Sequence, residues 1–76
     1  MGIREVFAKN LRARRTELGL SQEELADKAG LDRTYISSLE RGKYAASIDA
    51  VDMLAKALKV APPTLLEKPG GTKRSE

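Results

Sequence analysis

Apolar residues recur at helical spacing along most of this chain. Ile3, Val6, Phe7, Leu11 and Leu18 make one stripe of a helix over about residues 4–18, closed by Gly19. Leu25, Ala26 and Ala29 mark a second helix near 22–29, and Ile36 and Leu39 a third near 33–41. Ser47 is a good N-cap for a fourth, running to about Lys59. A short fifth is predicted at Pro62-Pro63, where proline suits a first helical turn, with Leu65 and Leu66 as its apolar residues. No segment alternates with the period of a half-buried strand. The predicted fold is all-α, a compact five-helix domain over residues 1–67. From Lys68 the run KPGGTKRSE offers no apolar anchor, so 68–76 is expected to be a disordered tail.

The second and third helices carry the sharpest local signals. Ser21 and Glu24 form an S-x-x-E capping box, Gly30 stands where a helix ends in a left-handed residue, and Asp32 caps the helix that starts at Arg33. Gly42 closes that one. Two short helices across a tight glycine turn have the form of a DNA-reading unit. On a wheel of about 100° per residue from Arg33, the residues Arg33, Thr34, Ser37, Ser38 and Arg41 fall between about 0° and 140°. Ile36 and Leu39 fall near 300° and 240°, almost opposite. The polar side could simply be solvated, but such a face usually mixes lysine with glutamate. This one carries arginines and short hydroxyls, the groups that reach guanine edges and phosphates, while Glu40 lies toward the core edge. Tyr35 sits at the boundary and either packs beneath the backbone or joins the reading face. Lys43, in the loop after Gly42, is a candidate phosphate contact or a solvated loop lysine.

Composition narrows the chemistry. The 76 residues make one small domain, with neither cysteine nor histidine. Thiolate or imidazole metal sites, disulfides and the commonest general base are therefore absent, and no metal or other cofactor is expected. Glu23, Glu24 and Asp27 read as capping or solvated carboxylates. There is no glycine-rich phosphate loop, so enzyme chemistry is set aside. The net charge of +3 is modest, but Arg33, Arg41 and Lys43 face only Glu40 between positions 33 and 48. No apolar run approaches a membrane span and no signal-peptide core opens the chain, so a cytoplasmic protein with no membrane partner is expected.

The fourth helix has two adjacent apolar stripes. Ile48, Val51, Leu54, Ala55 and Leu58 fit an internal core. Ala50, Met53 and Ala57, together with Leu65 or Leu66, would stay wet in a monomer unless covered. A self-complementary contact with a second copy is the expected cover, and the fifth helix folding back is the alternative.

The string GLSQEELADKAGLDRTYISSLERGK resembles the helix-turn-helix of the Cro and lambda-repressor-like proteins, also called the xenobiotic response element family. The likeness covers positions 3 to 67 and rests on Gly19-Leu20-Ser21-Gln22, Glu24-Leu25-Ala26, Ala29-Gly30, Tyr35-Ile36-Ser37 and Leu39-Glu40-Arg41-Gly42. Chain length and the string from Leu31 to Ser37 are similar to restriction–modification controller proteins, small dimeric regulators that bind operator DNA. The resemblance implies a lambda-repressor-like fold and a homodimer that regulates transcription from a (pseudo)palindromic double-stranded operator. It implies base contacts from Arg33, Thr34, Ser38 and Tyr35, and backbone contacts from Gln22, Ser37, Arg41, Lys43 and Ser47. It also implies that Glu40 and Arg15 join the first and third helices. Arg14 departs from the pattern, falling within the first helix's apolar stripe, so that it must snorkel or itself reach Glu40. RNA polymerase would be a further partner only for an activator, and no surface for it is legible. The alternative function is an antitoxin-like or adaptor module that binds protein on the same fold.

Overall fold

The computed structural model describes residues 2–68. Its elements are α1 (Ile3–Glu17), α2 (Gln22–Ala29), α3 (Arg33–Glu40), α4 (Ile48–Leu58) and a 3-10 turn (Pro62–Leu66). Among the described residues there is no strand, and no helix is long and apolar enough to cross a membrane. The expected tail, 68–76, lies outside the described residues apart from Lys68, which is exposed. The expected fifth helix is corrected to a 3-10 turn. Five residues are too few for a settled α-helical ladder, so the chain takes the tighter i to i+3 pattern, and Thr64 N donates to the Ala61 carbonyl at 2.9 Å.

Local chemistry explains the helix ends. Ser21 Oγ accepts from Glu24 N at 3.0 Å while Glu24 Oε1 accepts from Ser21 N at 2.8 Å, closing the capping box of α2. Gly30 ends α2 at φ 72°, which lets Leu31 N turn back to the Ala26 carbonyl at 2.9 Å. A Cβ there would lie an ordinary 3.9 Å from the end of Met53, so the backbone angle, not crowding, calls for glycine. Asp32 Oδ2 accepts from Thr34 N at 3.1 Å, and Ser47 Oγ from Ala50 N at 3.0 Å, opening α3 and α4.

The core lies where the four helices converge. Leu11, Leu25, Ile36, Leu39, Leu54 and Leu58 are fully buried there, and Leu65 of the 3-10 turn closes it from the side at 1% exposure. Three expectations about the stripes are corrected. Ile3 and Leu18, at the two ends of the α1 stripe, overhang the core and are exposed. Ile48, at 88%, is outside it altogether. Ala50 and Leu65 are core residues at 3% and 1%, so neither is free to meet another molecule. The reason is one of angle. On α4 the buried arc spans about 200° to 340° from Ile48, taking Ala50 at one flank and leaving Ile48 and Met53 at the edges.

Two arginines on α1 hold the assembly by different means. Arg15 Nε donates to Glu40 Oε2 at 2.6 Å and its Nη2 to Oε1 at 2.9 Å, with the Glu40 side chain only 4% exposed. The remaining Arg15 amine, Nη1, donates to the Leu20 carbonyl at 2.8 Å, fixing the α1–α2 turn as well. The hydrogen bonds that Arg15 donates to Glu40 raise its pKa above its already high ordinary value, against the opposing pull of burial. Arg14 instead snorkels along α1, its Nε donating to the Leu58 carbonyl at 2.9 Å and its Nη1 meeting Glu17 at 3.0 Å.

Arg15→Met strands the Glu40 carboxylate without its charge partner and should cost about 3–5 kcal/mol in urea unfolding. Arg15→Met combined with Glu40→Leu should cost clearly less than the sum of the two single changes. Glu24 supplies a pH test. Bonds from the Ser21 backbone and side chain hold its carboxyl below the ordinary value, so its stabilising effect is complete above about pH 4.5 and fades as pH falls through the depressed value. The thermal midpoint of wild type should exceed that of Glu24→Gln at pH 7, and the gap should close in acid.

Candidate nucleic-acid interface

The exposed side of α3 is set by its two ends. At the start, the Gly30 turn and the Asp32 cap project Arg33 and Thr34 outward, and both are exposed. At the end, the buried Glu40–Arg15 pair fastens the helix to α1 while Arg41, the next residue, points to solvent. Ser37 lies between them, half-buried. Eight residues give a rod of about 12 Å, comparable to the width of a DNA major groove.

Ser38 is corrected. The structure buries it at 6%, although the wheel puts it on the polar side. α3 packs against both α1 and α2, so its buried arc is wider than its apolar stripe and takes in the small hydroxyl at the margin. Ser38 is therefore withdrawn from the exposed base-reading set. Tyr35 is half-buried against the core, and its hydroxyl accepts a long bond, 3.4 Å, from Ser47 N. Because the oxygen accepts there, the Tyr35 hydroxyl proton remains available to an outside acceptor. Gln22, the first residue of α2, is half-buried and donates through Nε2 to Glu40 Oε1 at 3.1 Å. One hydrogen of that amide is committed inward and the other remains to donate.

Lys43 and Ser47 are both exposed, on the loop and at the start of α4. Ser47 Oγ accepts the capping bond from Ala50 N, leaving its own hydrogen free to donate. The electrostatics of this side follow from the internal pair. Glu40 is neutralised by Arg15 beneath the surface, so Arg33, Arg41 and Lys43 face outward with only the capping Asp32 as an exposed acid among residues 32–48. Backbone donors, hydroxyls and guanidinium groups on a convex rod are suited to holding a polyanion and reading its edges. Among the described residues no group of three or more acidic side chains converges to hold a metal ion.

A second surface lies away from α3. Ile48, Val51, Pro62, Pro63 and Leu66 line an apolar groove of about 530 Å³ between α4 and the 3-10 turn, rimmed by Asp49 and Asp52. Of the five residues expected to bind a second copy, only Leu66 lines it. Ala50 and Leu65 are internal, Met53 lies over Gly30, and Ala57 borders a separate hollow with Leu18, Leu20, Lys28 and Lys59. Ile48 and Val51 were not expected in this groove because sequence periodicity assigns both to the core. The signal that could have found them is the place of Ile48 at the very first position of α4, beyond the reach of the neighbouring helices.

The helix-turn-helix family model matches residues 11–65. Control protein C.SmaI of Serratia marcescens is 44% identical over 70 residues, which span 92% of this chain and 83% of that protein. The crystal structure of the restriction-modification controller protein C.AhdI from Aeromonas hydrophila superposes with a TM-score of 0.79 at 44% identity, covering 82% of this chain and 94% of that one. The hypothetical transcription factor NHTF from Neisseria superposes with a TM-score of 0.87, also at 44% identity, covering 90% of this chain and 78% of that one. The chain belongs to the helix-turn-helix family, and restriction–modification controller proteins are among its relatives.

Proposed function

We propose that this protein is a sequence-specific DNA-binding transcriptional regulator that acts as a homodimer on a (pseudo)palindromic operator, in the manner of a restriction–modification controller. The observation that carries this reading is the outward side of α3, with Arg33, Thr34 and Arg41 exposed and the one glutamate of the helix sequestered by Arg15. Arg33, at the first turn, is placed for bidentate contact with a guanine, and Thr34 for a base edge beside it. Tyr35 contributes its free hydroxyl proton at the flank. Gln22, Ser37, Arg41, Lys43 and Ser47 hold the phosphate backbone on either side, Gln22 with the positive end of the α2 dipole behind it.

The apolar groove is where the second copy docks. Ile48 and Leu66 are exposed, and their grouping with Val51 and two prolines makes a continuous apolar patch. A two-fold contact there covers the same patch on both copies and leaves both α3 helices open. Paired recognition helices then enter successive major grooves about one DNA turn apart.

Selection of bound sites from a random duplex pool should return an inverted repeat, whereas recovery of no enriched sequence would refute the reading. Against the selected site, Arg33→Ala should cost about 1–3 kcal/mol of discrimination, with little change on random duplex. Equal losses on both would make Arg33 a phosphate contact. Ile48→Asp should convert the dimer to monomer in sedimentation and abolish tight operator binding. It should not unfold the protein, because Ile48 is 88% exposed and an acid suits the first turn of α4.

A further inference from the structure

Asn10 and Arg14 stand one turn apart on α1, and both reach backbone carbonyls across the fold. Arg14 takes the Leu58 carbonyl at the end of α4. Asn10 Nδ2 donates twice, to the Leu65 carbonyl at 2.9 Å and to the Glu67 carbonyl at 2.6 Å. The 3-10 turn is only five residues long. Its first bond runs from Thr64 N to the Ala61 carbonyl at 2.9 Å, and the bond that closes it, from Glu67 N to the Thr64 carbonyl, is stretched to 3.4 Å. Its one buried side chain is Leu65.

The neighbouring residue makes this significant. Leu66 is 41% exposed and forms, with Pro62 and Pro63, one wall of the apolar groove opposite Ile48. A short segment with a stretched closing bond therefore presents an apolar wall on one side, and one amide ties its C-terminal carbonyls on the other. An amide is the side chain for this task. Two carbonyls need two donors on one short planar group, and an ionised carboxylate supplies none.

We propose that Asn10 is a positioning residue for dimerisation: by fixing the Leu65 and Glu67 carbonyls it sets the angle of the Leu66–Pro62–Pro63 wall, and through it the separation of the two recognition helices and the operator spacing the dimer accepts. The inference rests on the homodimer reading above. Leverage makes the spacing sensitive. The domain measures 37 × 23 × 20 Å. Across ~20 Å, a tilt of about 10° at the interface moves a recognition helix by about 3 Å, close to the rise of one base pair.

The test uses the full chain as wild type, Asn10→Ala and Asn10→Asp. Sedimentation velocity over a concentration series gives the dimer dissociation constant. Fluorescence anisotropy gives affinity for a duplex with one selected half-site, and for duplexes with two half-sites separated one base pair more or less at a time. Both variants should dimerise about tenfold more weakly and lose the preference for a single separation, while half-site affinity stays within about twofold of wild type. An unchanged dimer constant with an unchanged separation preference overturns the proposal. So does a half-site affinity that falls in step with dimerisation, since the bonds would then support the whole domain rather than its docking wall. A wild-type chain that remains monomeric at every concentration refutes the homodimer reading, and this inference with it; the other two adverse outcomes leave a dimeric wild type.

Discussion

Arg15 and Glu40 form a charge pair inside a domain with very little interior. Burying two charges is costly unless their donors and lone pairs find partners, and here each guanidinium nitrogen and both carboxylate oxygens do. The guanidinium meets both carboxylate oxygens and the Leu20 carbonyl, and the same carboxylate receives Gln22. The geometry can therefore be satisfied in only one arrangement of α1, α2 and α3. Apolar packing alone would tolerate a rotation of α3 by tens of degrees, since leucine and isoleucine repack at modest cost. A bidentate ion pair does not. The direction in which Arg33 and Thr34 point is thus decided by a contact on the opposite side of their helix.

The same pair divides the molecular surface. One side carries arginine, lysine and hydroxyls with a single capping aspartate, because the glutamate that would interrupt it is internal. The other carries the apolar groove with Asp49 and Asp52 at its rim, one of them paired with Lys56 at 3.2 Å. In the proposed complex, two surfaces of different chemistry on one small domain would let one copy bind a polyanion and a second copy at once, without competition between them. α4 joins the two, beginning at Ser47 on the first and continuing through Ile48 and Val51 on the second.

The helices, their caps and the glycine turn were legible in the sequence because each is decided by neighbours within four residues. Ser21 with Glu24, Gly30, Asp32 and Ser47 all act locally. What was not legible depends on neighbours far along the chain. Ser38 and Ala50 lie at stripe margins, and only the width of the packed arc decides that they go inside. Leu65 and Leu66 are adjacent leucines of equal hydropathy, and the backbone path alone sends one inward and one outward. The choice between Arg14 and Arg15 as partner of Glu40 was open for the same reason. Asn10 and Arg14 were unreadable in a deeper sense, since their acceptors are carbonyls and every residue carries one.

Sequestering Glu40 has an effect beyond the fold. Each copy offers three uncompensated cations near α3, Arg33, Arg41 and Lys43, and a pair offers six. In the proposed complex Arg33 of each copy meets a base, so Arg41 and Lys43 of the pair would neutralise four phosphates and release about four condensed counterions, and the binding constant would fall by roughly three to four decades for each decade of added salt. An internal salt bridge thereby makes the strength of genetic control a function of the ionic composition around the DNA.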